Sequence, residues 1–237
     1  MSPRAIQVAI LVAMIGCTVW LWSTLALYPI KLFVVLLHEI SHGIAALATG
    51  GEILTIEVNE RIGGYCQYRG GNRLIVASAG YLGSLVWGGF ILIVASRTAW
   101  SRQLGTGLSA LLIVVTLLWI RNSFGVFYTV GVAISLFVLC RFLPSVLVRI
   151  LMQFLGTASC LYVIVDICED VIRIYQDGSD ADTLATLTGI PALFWGVLWG
   201  LIALVMILYS FYLAGKPRAD QIEPEEDESV EAYELGS

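Results

Sequence analysis

Apolar runs of about 20 residues recur along almost the whole chain, and a bilayer core of roughly 30 Å is the environment such runs fit. They extend over Ala5 to Leu27, Ile30 to Thr49, Leu74 to Ala95, Gly105 to Ile120, Phe124 to Cys140, Pro144 to Val165 and Ala192 to Leu213. With 58% hydrophobic residues and a mean hydropathy of +0.86, a soluble globular domain is excluded. The reading is an all-α, multi-pass integral membrane protein of six or seven transmembrane helices in a lipid bilayer, occupying residues 1–215. The lower count arises if the short fourth and fifth runs form a re-entrant pair. The first run is too long for a signal peptide and closes without a small-residue cleavage site, so it reads as a retained span. Alternating loop assignment divides the 13 Lys and Arg residues almost evenly, and the positive-inside rule favours neither orientation.

Between the second and third runs the pattern changes. Ile53, Thr55 and Glu57 alternate with Leu54, Ile56 and Val58, then Gly63-Gly64 precedes Tyr65-Cys66-Gln67-Tyr68, and Gly70-Gly71 follows. This predicts a small β-hairpin after the second span. Open strand edges do not survive in hydrocarbon, so protein must shield the hairpin or it must lie at the interface. An edge near Ile53 to Val58 is suited to pairing with an extended peptide.

The net charge of -5 is local in origin. Eight of the 18 acidic residues fall between Asp220 and Glu234, and residues 216–237 read as an acidic disordered tail. No basic stripe exists for nucleic acid, which is excluded as a partner. The 5 cysteines are odd in number and contain no C-x-x-C pair, which argues against a disulfide framework or a cysteine-based zinc knuckle. Gln176 to Gly189, rich in aspartate, reads as a polar loop.

The second span carries the chemistry. His38-Glu39-Ile40-Ser41-His42 interrupts an otherwise apolar run. Residues four apart share a helix face, so His38 and His42 can bind one metal ion together. Glu39 lies one position round, where it can take a proton from a water on that metal. Ionisable groups in a span are expensive unless they share a job or a partner. A catalytic zinc site needs three protein ligands, and the chain has only 2 histidines, so Asp, Glu or Cys must supply the third. Ala45 and Ala48 stand where a metzincin extension needs Gly and His. Glu57, Glu60, Asp166, Glu169 and Asp170 are the candidates. Asp166 is favoured because it directly follows the apolar run Leu161 to Val165, with Asp170 as its supporting partner or substitute ligand. Arg121 and Asn122, at a span end, read as headgroup contacts or substrate-orienting groups.

His38 to Gly43 within the second span, followed by a Gly-rich hairpin, resembles the site-2 protease family of intramembrane zinc metalloproteases. The closest likeness is to its compact peptidase M50B-like branch. Tyr68-Arg69-Gly70-Gly71, Ala79 to Ser84, and Asp166-Ile167 with Asp170 followed by Ser179-Asp180-Ala181 resemble that branch too. Together these stretches cover residues 30 to 200. The resemblance implies a zinc metalloendopeptidase that hydrolyses peptide bonds of membrane-embedded substrates, presented as transmembrane helices. His38 and His42 would bind Zn2+, Glu39 would be the general base, and an aspartate on a later span would complete the site. The N-x-x-P-x-x-x-L-D-G stretch that carries this aspartate in better-known members is absent here, so its assignment to Asp166 rests on position and depth. The alternative is a non-proteolytic membrane scaffold or chaperone that keeps the protease fold.

Overall fold

The computed structural model describes residues 2–172 and 179–216, without the side chains of 3 and 169–172. The acidic tail from residue 217 and the side chain of Asp170 therefore lie outside the described residues. Eight helices and one hairpin follow in order: α1 (Pro3–Leu21), α2 (Tyr28–Ala48), β1 (Glu52–Asn59), β2 (Gly63–Arg69), α3 (Arg73–Arg97), α4 (Ser101–Trp119), α5 (Ser123–Phe142), α6 (Ser145–Ile172), α7 (Asp180–Thr188) and α8 (Ala192–Ala214). Among the described residues, seven helical segments are long and apolar enough to cross a membrane. The predicted polar loop holds α7 instead. Ser179 caps it, its hydroxyl accepting from the Asp182 amide at 3.2 Å, and Gly189 ends it with a left-handed φ of 73°. The break after the first span also falls earlier than Tyr28-Pro29, at Trp22-Ser23-Thr24, because Pro29 fits the opening turn of α2.

α3 is the central helix, packed against α2, α6, α7 and α8. Its close approach to α6 depends on missing side chains. A Cβ on Gly156 would stand 2.6 Å from the Leu92 backbone nitrogen, and one on Gly88 would stand 3.0 Å from the Cys160 nitrogen. In lipid, where burial of apolar surface gives helices little reason to associate, such contact supplies the attraction. One polar link reinforces it: the Gln153 amide donates to the Ser96 hydroxyl at 3.1 Å inside the interface.

The hairpin packs one face against the helices. Its strands pair antiparallel, with Val58 opposite Gly64 and Ile56 opposite Cys66, and Ile56 and Val58 are fully enclosed. Asn59 organises the turn by accepting from the amides of Arg61 at 2.9 Å and Gly63 at 3.2 Å. The far edge of β1 is taken. Ile56 bridges Ile120 in parallel, the Thr55 hydroxyl donates to the Trp119 carbonyl at 3.2 Å, and the Asn122 amide donates to the Val58 carbonyl at 2.6 Å. Asn122 thus ties the hairpin to the α4–α5 turn, and Arg121 spends its guanidinium on the carbonyls of Leu117, Leu118 and Ile120 at the end of α4. The Tyr28 hydroxyl reaches the Glu60 carbonyl at 2.8 Å and secures the hairpin tip to the start of α2. Protein thus closes the β1 edge and covers Ile56 and Val58, while Leu54 and Tyr65 stay exposed. The edge left without a backbone bridge, among the described residues, belongs to β2.

Gly156→Ala should destabilise the protein by about 1–3 kcal/mol through overpacking against α3. Gly107→Ala on α4, where a Cβ would meet nothing within 4 Å, should be neutral or slightly stabilising. Thermal unfolding of the two variants in detergent makes the comparison.

Candidate metal centre

His38 and His42 sit one turn apart on α2, with ring centroids 4.7 Å apart. The helix offers no internal partner for their ring nitrogens, so neighbouring elements supply them. The Val76 carbonyl on α3 lies 2.7 Å from His42 Nδ1. A carbonyl only accepts, so Nδ1 carries the proton and, in the neutral ring, Nε2 keeps its lone pair.

The third member of the group is Asp180, the first residue of α7. Its Oδ2 lies 3.2 Å from His38 Nε2 and its Oδ1 lies 3.3 Å from His42 Nε2. His38, His42 and Asp180 offer ligand atoms that all fall within 4.8 Å of one another, and no other such group forms among the described residues. Asp166, the residue favoured from the sequence, does not join this group. Its carboxylate approaches the opposite nitrogen of His38, with Oδ2 3.6 Å from Nδ1. Glu57 and Glu60 stay on the hairpin, outside the group.

The trio suits a metal ion in three respects. A neutral His42 Nε2 facing a carboxylate oxygen sets two acceptors against each other, and that arrangement is repulsive until a proton or cation lies between them. Two ligands held about 2.0–2.1 Å from a tetrahedral zinc ion are about 3.3–3.4 Å apart, which the 3.2 and 3.3 Å separations nearly match. Asp180 Oδ2 is also buried without a hydrogen-bond partner. Burial opposes ionisation of Asp180, but positive charge on the His42 and His38 rings, once a proton lies between ring and carboxylate, outweighs it and holds the carboxyl below the ordinary carboxylate range. Two imidazoles and a carboxylate are a donor set that zinc accepts. Cys66 of the hairpin does not join the group; burial, with Glu39 beside it, pushes its thiol up to about 12 in the metal-free protein.

Two glycines make the room. A Cβ on Gly80 of α3 would collide with His38 Nε2 and Asp180 Oδ2 together, and one on Gly64 of β2 would stand 2.5 Å from Glu39 Oε1. Glu39 is 6% exposed, so the β2 backbone passes directly over its carboxylate. Among the small residues of the third span, Gly80 makes room for the site, whereas Gly88 serves packing. Tyr81 sets its ring edge-on to His38, with centroids 5.5 Å apart, and completes the wall.

Sequence reasoning missed Asp180 as a member of this group. Two signals were present: Ser179-Asp180-Ala181 is among the stretches that resemble the family branch, and Ser179 followed by two acids in three residues is a helix start. The aspartate-rich composition nonetheless reads as a loop. Nothing local in the sequence marks Gly80 as facing the histidines.

No curated protein and no solved structure matches the chain. The family model for Peptidase M50B-like proteins matches residues 11–210. A match over that length, together with the buried His-Glu-His turn and its multi-span setting, identifies a membrane metalloprotease kind of function: the chain belongs to the Peptidase M50B-like family.

Proposed function

We propose that the protein is an intramembrane zinc endopeptidase whose metal ligands are His38, His42 and Asp180 and whose general base is Glu39. The convergence of the two Nε2 atoms on one buried carboxylate carries this reading. Zinc, when bound, supplies a Lewis acid that polarises the scissile carbonyl and brings the pKa of a water to about 7. The protein's own groups do the rest. Glu39 accepts the proton of the attacking water and returns it to the leaving amine. The Val76 carbonyl holds His42 in the tautomer that presents Nε2, and the hairpin covers the carboxylate of Glu39 and limits bulk water there.

A transmembrane substrate enters as a helix, and its peptide bonds become accessible only where it unwinds. The open edge of β2 offers the unwound segment backbone partners. Pairing there places that segment beside Gly64, and so against Glu39. The Ile53 to Val58 edge favoured from the sequence is closed by Ile120 and Trp119, so the open edge of the hairpin is the opposite one.

Glu39→Gln should retain zinc and fold normally while lowering cleavage of a membrane-embedded reporter by at least about 100-fold, within the usual range for a lost general base. Cleavage at the wild-type rate would sink the mechanism. Gly80→Ala should reduce zinc from stoichiometric to substoichiometric, read by elemental analysis of the purified protein, because its Cβ takes the space of the ligand atoms. A wild-type protein that contains no zinc when purified in zinc-supplemented buffer would instead favour the scaffold reading.

A further inference from the structure

We infer that Asp166 is a positioning residue: it accepts the Nδ1 proton of His38 and thereby fixes the tautomer and ring angle that present Nε2 to the metal. The inference rests on the proposed ligand set of His38, His42 and Asp180. It starts from an asymmetry between the two imidazoles. Both turn Nε2 toward Asp180. His42 has its other nitrogen anchored at 2.7 Å to the Val76 carbonyl. His38 Nδ1 is equally buried, yet it has no hydrogen-bond partner at bonding distance. Facing it is the carboxylate of Asp166 on α6, at 3.6 Å.

A buried N–H left unsatisfied is disfavoured, because the hydrogen bond it made to water is not replaced. A movement of less than about 1 Å would bring the Asp166 oxygen into the hydrogen-bond range for N–H to O. Val76 belongs to α3 and Asp166 to α6, so the two histidines are supported from different helices. A carboxylate behind an imidazole also makes the ring a stronger donor to a cation, which a backbone carbonyl does less well. On this account Asp166 touches the histidine and not the metal.

Zinc affinity, measured by competition with a chromogenic chelator on the full chain in detergent, tests the assignment. Asp166→Ala should weaken binding by about 10- to 100-fold, the range found when an outer partner of a metal-bound histidine is lost. Asp166→Asn, which keeps an acceptor of the same shape without the charge, should recover part of that loss. Nitrogen-15 NMR of the metal-free protein should show the His38 ring moving toward the other tautomer in Asp166→Ala and remaining near wild type in Asp166→Asn. A merely structural role would not produce that change. Wild-type affinity in Asp166→Ala overturns the inference. So does complete loss of zinc in both Asp166 variants to the level of His42→Ala, since that outcome makes Asp166 a ligand. Asp180→Ala, run alongside, reports on the ligand set: unchanged affinity there overturns the site itself, independently of what Asp166 does.

Discussion

The structure depends on compensating a cluster of ionisable groups inside a helix bundle. His38, Glu39 and His42 occupy one turn of a buried span, and any of them alone would be disfavoured there. Asp180 faces both imidazoles, and Asp166 lies behind one of them. Much of the remaining architecture exists to let these groups meet. α3 omits a side chain at Gly80 so that a carboxylate from α7 reaches α2, and β2 omits one at Gly64 so that the hairpin can lie on Glu39. Enlarging either residue would fill the space the chemistry needs while leaving most apolar contacts of the fold in place.

The hairpin faces the same constraint in a different form. Strands in a membrane must satisfy their edges, and this one gives its β1 edge to the α4–α5 turn. That closure leaves β2 as the strand with backbone groups to offer. Since β2 is also the strand that crosses Glu39 of α2, the open edge and the carboxylate proposed as the base lie next to each other. One edge is thus closed against stray pairing, and among the described residues the strand beside Glu39 is the one left with an open edge.

Legibility in the sequence followed the range of the interactions. The spans were readable because each is a local apolar run, and the hairpin because Gly63-Gly64 and the alternation around Ile56 are local signals. His38, Glu39 and His42 stood out because helix periodicity places them together within one turn. Asp180 did not, because its partnership with α2 is set by how α7 folds back across α3, and no periodicity in the chain encodes that crossing. Hydropathy ranked Asp166 ahead of it by depth. Depth does bring Asp166 to His38, but from the side of Nδ1, and the direction of approach is a property of helix packing. Arg121 and Asn122 show the same limit. Their polarity was visible, but their use in capping α4 and tying down the hairpin required the tertiary contacts.

Distributing the site over four helices has a consequence for assembly. α2 carries two of the proposed ligands and the base, yet two imidazoles do not make the three-ligand site that catalytic zinc uses. The third comes from α7, so the proposed centre is complete only after the chain has placed α3 against α2 and folded α7 onto α3. Until then, His42 also lacks the Val76 carbonyl and His38 lacks α6. A partly inserted chain would hold the conspicuous motif without the means to activate water, so hydrolytic capacity becomes a property of the finished bundle. Gly80, Asp166 and Asp180, which meet the motif in the folded bundle, lie far from it in sequence, so each contact requires that a particular helix has docked.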